Sequence, residues 1–423
     1  MRFSRLSDWL SWQEQLHPST IDLGLDRLAR TLESLQWRRP ACPVVTVAGT
    51  NGKGSSVALT ARILGEAGYR VGTFTSPHLL RYNERITIAG REISDASLMA
   101  AFERIDAARG EQTLTFFEFN TLAALLVFET AGLDAIVLEV GLGGRLDAVN
   151  VVDADVALIT SIALDHCDWL GPDVETIGRE KAGIMRAGRP VIFGSRDMPA
   201  SIGETARSVG SDLRRLGHEF DWTREGNRWT WRGRDRIYPD LPAPALAGEI
   251  QFDNAAAVLS ALEALSPRLP VDVAAIERGL RSVSLPGRFQ VIGGAVEWIL
   301  DVAHNPAAAH TLAAQLAARP VGGRTLAVCG ILADKDIAGI ATHLRGSFDA
   351  WIVVGLESPR ALTTDALAER LSAAGARIIT KADDVQTGCQ SALTAAKPGD
   401  RVVVFGSFLT VGPALQFLES RFA

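Results

Sequence analysis

Gly49, Gly52, Lys53 and Gly54 fall within one short stretch, VVTVAGTNGKGSS, from Val44 to Ser56. Small residues let backbone N–H groups approach anionic oxygens, and a lysine among them adds a point charge. Thr50 and Asn51 share the loop, and Ser55 or Ser56 could offer a hydroxyl to Mg²⁺. The common phosphate-loop pattern wants glycine where Val47 stands and Ser or Thr where Gly54 stands, so the match is incomplete. Three glycines around one lysine still favour a nucleoside triphosphate over a plain turn, and leave the reaction open. Glu139 ends an apolar run, AIVLEV. A carboxylate there is costly unless paired or bound to metal, so it predicts either an ion pair with Arg145 or a Mg²⁺ ligand. His166, after Asp165, and Lys181, in GREKAG, are ordinary residues on spacing alone. Asp301 to Pro306, Asp334 to Asp336 and Gly406 to Phe408 are polar turns that could line a cleft or simply cap helices.

These residues need elements to hold them. Val44 to Val47 is a β-branched strand, and the run after Ser55 is a helix that stops near Gly68. Residues 1–40 predict two short helices, with Ser19 or Thr20 capping the second and His17 in the loop between them. Strands at Val71 to Phe74, Ala135 to Val140, Val156 to Thr160 and Val191 to Phe193 alternate with helices over 94–109, 118–131 and 174–186. That alternation predicts a doubly wound, mostly parallel α/β sheet whose ligands gather beyond the carboxyl ends of the strands. Residues 218–240 read as a half-buried hairpin or meander rather than a nucleic-acid surface. After Leu285-Pro286-Gly287-Arg288 a second alternation begins, a smaller Rossmann-like α/β domain of about 130 residues. The division is therefore 1–285, a hinge linker over 286–290, and 291–423.

The 423 residues carry a formal charge of −6, which argues against wholesale binding to nucleic acid or anionic membrane. Cys42, Cys167, Cys329 and Cys389 are scattered without a CxxC, as expected of free thiols in a reducing compartment. No secretory leader and no membrane span is apparent, so a cytoplasmic location is expected.

Taken together, GTNGKGS (49–55), TSPHL (75–79), YNERI (82–86), EVGLGGRLDAVN (139–150), DHCDWLGPD (165–173), GREKAGI (178–184), LPGRFQ (285–290) and DVAHNP (301–306) resemble the folylpolyglutamate synthase / dihydrofolate synthase family of the Mur ligase superfamily. The likeness runs from IDLGLDRL at 21–28 to GSFLTV at 406–411, and GTNGKGS is that family's own form of the phosphate loop. It implies ATP-dependent amide formation: a carboxylate of dihydropteroate or a reduced folate is phosphorylated, and the amine of L-glutamate attacks the acyl phosphate. Residue by residue, it implies ATP phosphates at Thr50, Asn51, Gly52 and Lys53, with Asn254, Arg288 and Asp301 also touching ATP. Ser76, Glu139 and His166 would hold Mg²⁺. A carbamate on Lys181 could help hold a second ion. Thr115, Phe116, Phe117 and Glu118, with Leu146, Asp147 and Ala148, match the pterin-binding segments. His304 and Ser407 are candidates for the incoming glutamate, with His304, Lys53 and Lys181 as the catalytic set. The linker implies closure of the second domain over ATP. A monomer acting on small molecules alone is expected. Alternatives are a folylpolyglutamate synthase without the first activity and a cell-wall Mur-type peptide ligase, which would need a further domain for its uridine nucleotide. A nucleotide switch would need an Asn-Lys-x-Asp motif, which the chain lacks.

Overall fold

The computed structural model describes residues 2–422. The chain divides into two compact units. One comprises residues 1–78, 82–245 and 252–283; the other comprises 79–81, 246–251 and 284–423.

The first unit is built on eight strands: β1 (Val44–Ala48), β2 (Val71–Phe74), β3 (Ile86–Ile88), β4 (Arg91–Glu92), β5 (Ala135–Glu139), β6 (Val156–Ile159), β7 (Pro190–Phe193) and β8 (Asp212–Arg215). Their order is β4-β3-β2-β5-β1-β6-β7-β8. All neighbours are parallel except at one edge, where β3 runs against β2 and β4 against β3. The central strands are apolar and buried on both faces, as a parallel sheet with helices on both sides requires. Register then fixes the chemistry. Val47 lies beside Glu139, Phe74 beside Leu138, and Ala48 beside Ile159. The loops after β1, β5, β2 and β6 therefore leave from one rim.

Residues 221–242 form a three-stranded antiparallel meander of β9 (Asp221–Glu225), β10 (Arg228–Arg232) and β11 (Ile237–Pro242). Trp229 and Trp231 are buried rather than displayed, and Trp231 donates its indole N–H to the Ala256 carbonyl at 3.1 Å.

The second unit has six strands: β12 (Gln290–Ile292), β13 (Glu297–Asp301), β14 (Thr325–Cys329), β15 (Ala350–Val354), β16 (Ile378–Ala382) and β17 (Arg401–Phe405). Their order is β12-β13-β17-β14-β15-β16, with β12 alone antiparallel. Asp301, Phe405 and Cys329 stand side by side in register at the carboxyl end.

Two boundaries differ from expectation. The second helix is Asp26–Ser34, with Leu25 and not Ser19 or Thr20 at its N-cap. Ser19 instead turns back on His17, its N–H reaching Nδ1 at 3.2 Å. The helix expected to reach Arg186 is Val174–Ala182, which puts Lys181 in its last turn. Gly183 ends it, because its backbone packs against Arg145 and its carbonyl accepts a hydrogen bond from the Asn150 amide. No helix among the described residues is long and apolar enough to cross a membrane.

Candidate active site

The phosphate loop leaves β1 and enters the helix Lys53–Glu66 through two residues that need positive φ, Gly49 (+145°) and Gly52 (+89°). A Cβ on Gly49 would fall 1.9 Å from Thr160 Oγ1, and one on Gly52 2.6 Å from Asn254 Oδ1. The loop is latched to the segment after β6. Thr50 N–H donates to the Ser161 carbonyl at 2.7 Å, its hydroxyl donates to the Ala163 carbonyl at 3.1 Å, and Thr160 donates to the Asn51 carbonyl at 2.6 Å. Lys53 Nζ donates to the carbonyls of Gly49 (3.0 Å) and Thr50 (3.2 Å). Its charge is thus folded over a loop of backbone N–H groups at a helix N-terminus, a ready anion site. Ser56 is fully enclosed, and Ser55 nearly so.

Glu139 is buried at the end of β5, and its Oε2 accepts the Ser76 N–H at 3.2 Å. The alternative ion pair with Arg145 does not form. Arg145 pairs with Glu180 at 2.9 Å, because Gly144 lies against the helix that carries Glu180. His166 sits at φ +52°, its N–H bonded to Asp165 Oδ1 at 2.9 Å, with the ring one-third exposed. Among the described residues no three His, Cys, Asp or Glu side chains form a ready metal cage. The donors brought to this rim are a carboxylate and a serine beside it, a set that suits a hard cation keeping waters and phosphate oxygens as its other ligands.

Lys181 is buried, and its Nζ donates to the Gly49 carbonyl at 3.0 Å. Burial, reinforced by the Lys53 charge, pushes its pKa down to about 7, against the opposing pull of Asp165 and Asp147. Asp147 is buried too. It accepts backbone N–H groups of Leu142 (2.8 Å) and Val149 (3.0 Å), and burial raises its pKa to about 6. It shapes the glycine turn 141–144, while Leu146 is half-buried and Ala148 buried beside it. Thr115 and Glu118 form a capping box on the helix Phe116–Thr130. Arg27 ties that box to Asp22, through Glu118 Oε1 at 3.1 Å and Asp22 Oδ2 at 2.7 Å. The box aims Phe116 and Phe117, and the Phe117 ring packs under Gly141, where a Cβ would fall 2.7 Å from it. Neither Arg27 nor Arg85 stood out in the sequence, although Arg85 lies in the charged YNERI turn.

In the second unit Asp301 accepts the N–H groups of Phe289 and Ala303, both at 2.8 Å, and burial raises its pKa. Arg288 stacks over Phe408 with its guanidinium carbon 5.2 Å from the ring centre. His304 Nδ1 lies 2.8 Å from the Val302 carbonyl. Ser407 caps the helix Phe408–Phe422 through the Thr410 N–H at 3.1 Å, and its hydroxyl also meets Thr410 Oγ1 at 2.8 Å. Asp336 likewise caps the helix Ile337–Leu344.

Residues 47–207 match the Mur ligase middle domain, and residues 287–408 match the Mur ligase glutamate ligase domain. A phosphate loop and a rim carboxylate on the first sheet, followed by a second α/β unit, thus define a Mur-type ligase. The chain is 45% identical to the dihydrofolate synthase/folylpolyglutamate synthase of Escherichia coli over 99% of its own length and 96% of that relative's. Among solved structures it is similar to E. coli FolC in complex with DHPP and ADP (TM-score 0.94, 45% identity, 99% of each chain). It is also similar to a bifunctional folylpolyglutamate synthase/dihydrofolate synthase with Mn, AMPPNP and L-glutamate bound (TM-score 0.91, 46% identity, 98% of each chain). The chain belongs to the dihydrofolate synthase/folylpolyglutamate synthase family.

Proposed function

We propose that this chain is an ATP-dependent ligase that adds L-glutamate to dihydropteroate and to reduced folates through an acyl phosphate. Full-length identity of 45% to a relative bearing both names is the observation that carries this reading. The first unit's rim is chemically suited to it. A carboxylate is a poor electrophile, and phosphorylation gives it a leaving group. That transfer needs positioning and charge neutralisation more than covalent help. Thr50, Asn51, Gly52 and Lys53 bind the phosphates, and Asn254, packed over Gly52, fixes the loop's approach. Ser76, Glu139 and His166 hold Mg²⁺, which supplies charge neutralisation at the transferring phosphoryl group. Mn in a similar structure is consistent with a divalent ion there.

Lys181 has the character a carbamate requires. Carbamylation needs a neutral amine, and a lysine with a pKa near 7 supplies one at neutral pH. The carbamate would turn a cation into an oxygen donor for a second Mg²⁺. Thr115 to Glu118 and Leu146 to Ala148 form the pterin pocket, with Phe116 and Phe117 as its apolar wall. Arg288 and Asp301 contact ATP when the second unit closes about the 286–290 linker. His304 and Ser407 receive glutamate, Ser407 through whatever acceptor capacity its capping role leaves. The enzyme acts as a cytoplasmic monomer.

The test is ADP release by purified protein with L-glutamate and, in turn, dihydropteroate, a reduced folate, and a muramoyl-peptide precursor with its amino acid. Turnover with the first two is expected. Turnover with the third alone would replace this reading by the peptide-ligase one. Small-angle scattering that shows no compaction with AMPPNP and dihydropteroate would remove the closure.

A further inference from the structure

Arg85 is a buried cation whose charge no nearby acceptor fully uses. It is 8% exposed, in the turn just before β3. Its Nε donates to His78 Nδ1 at 2.8 Å, and its guanidinium carbon lies 5.6 Å from the Tyr82 ring centre and 5.5 Å from that of Phe116. Among the described residues the terminal nitrogens have no hydrogen-bond acceptor, yet they are not sealed from solvent. Burying a guanidinium with unused donors is unfavourable, and native structures tolerate it where a ligand completes the set. The acidic side chains that act on it are Glu139 and Glu84. Glu139 is also the carboxylate assigned to the metal, which leaves Arg85 a surplus of positive charge.

Position narrows the ligand. Thr75 N–H bonds the Arg85 carbonyl at 2.9 Å, which anchors the turn to the loop carrying Ser76. Along the rim the order is β3, β2, β5, β1, so Arg85 stands three strand spacings, about 14 Å, from the phosphate loop. The loop has its own cation in Lys53. Arg85 instead touches Phe116 and faces the Glu139 side of the rim.

We propose that Arg85 holds the carboxylate of the pteroyl substrate, the group that is phosphorylated, through its two terminal nitrogens. This rests on the ligase reading above. The planar fork suits a carboxylate bidentately, and the aromatic faces of Tyr82 and Phe116 keep it flat and oriented. The same contact would follow the oxygen as it attacks the γ-phosphorus and ADP leaves.

The test is equilibrium binding of 7,8-dihydropteroate and of its neutral carboxamide analogue, each with ADP present so that nothing turns over. Wild type should prefer the carboxylate by about tenfold or more. R85Q should bring the two affinities within about twofold while AMPPNP affinity is unchanged. H78A keeps the cation but frees its Nε, and should lose about threefold or more of the preference, an arm that stands even if R85Q fails to fold. Retention of the full preference by folded R85Q or H78A overturns the proposal, as does loss of AMPPNP affinity with the preference intact. Wild-type protein that neither binds nor turns over dihydropteroate or folate sinks the ligase reading itself. Wild type that turns over dihydropteroate, with preference intact in the variants, sinks only the role of Arg85.

Discussion

Lys181 donates its side-chain nitrogen to the carbonyl of Gly49 at 3.0 Å, so the last turn of one helix is hydrogen-bonded to the first residue of the phosphate loop. Two lysines, Lys53 and Lys181, converge on that one carbonyl oxygen. Their mutual repulsion adds to burial in disfavouring a charge on Lys181, the more buried of the two.

The first prediction follows from that pKa. The ordinary lysine value is 10.5, and in the fold it is lowered to about 7. Between those values the unfolded chain keeps a proton that the folded protein has lost, so stability rises with pH across the window. Below about pH 7 the penalty is constant. The rise is at most about 1.4 kcal/mol per pH unit. Urea midpoints of wild type measured from pH 7 to 9.5 in CO₂-free buffer should climb relative to those of Lys181→Met. Parallel curves would show that the amine is not depressed. In activity, Lys181→Met should be nearly inert, and bicarbonate should stimulate wild type but not the variant.

Lys53→Ala should leave the fold intact and cost turnover on the order of 10³ or more, because charge neutralisation at the transferring phosphoryl group is the protein's main contribution. The measurement is ADP release at saturating ATP. A loss confined to KM for ATP would mean that Lys53 binds the ground state and the transition state equally and gives the transition state no extra stabilisation.

Gly52→Ala combines two costs. Its φ of +89° disfavours any side chain, and the new Cβ would sit 2.6 Å from Asn254 Oδ1. The expected stability loss is about 1–2 kcal/mol from the backbone alone. ADP affinity by calorimetry should fall more than tenfold. Asn254→Ala added to Gly52→Ala relieves the contact but not the φ, so it should recover part of the stability, while ADP affinity should stay low because Asn254 is itself assigned to ATP.

The strand–loop–helix at Val44 to Glu66 was legible in the sequence because β-branched residues, glycines and a helical run mark it locally. Glu139 was legible because a carboxylate in an apolar strand demands a partner. Which partner was not. Arg145 is six residues away in the chain, but in space it lies against the helix bearing Glu180 and pairs there, and periodicity does not encode that. Strands β3, β4, β8 and β12 went unseen because they are two to four residues long, and all but β3, which is second from its edge, are edge strands, where little apolar alternation is required. Asp147, Thr115 and Ser407 sit in motif segments, yet each also accepts a local backbone N–H. A motif shows which residues cluster and leaves open how much of their hydrogen-bonding capacity the fold itself consumes.

Asp147 tests that division. Its carboxylate accepts two backbone N–H groups around the glycine turn. Asn offers one acceptor oxygen and places an NH₂ against the other donor, so Asp147→Asn should cost about 1–3 kcal/mol. Burial raises the folded pKa from 3.8 to about 6. Across that interval the folded protein binds the extra proton, so this residue's contribution to stability falls as pH rises from about 4 to 6. The variant should lack that slope in urea midpoints taken at pH 4.5, 5.5 and 6.5.

Thr115→Ala separates cap from contact. Loss of the N-cap hydroxyl should lower stability by about 1 kcal/mol. The helix start also aims Phe116 and Phe117, so KM for dihydropteroate should rise several-fold while KM for ATP holds. Thr115→Ser keeps the cap and should restore both quantities if Thr115 acts only through the helix. A serine variant with normal stability but a raised KM for dihydropteroate would show that the threonine methyl itself touches the pterin. Unchanged kinetics in a destabilised alanine variant would confine Thr115 to the cap and move the pterin wall to the Gly141–Ala148 side.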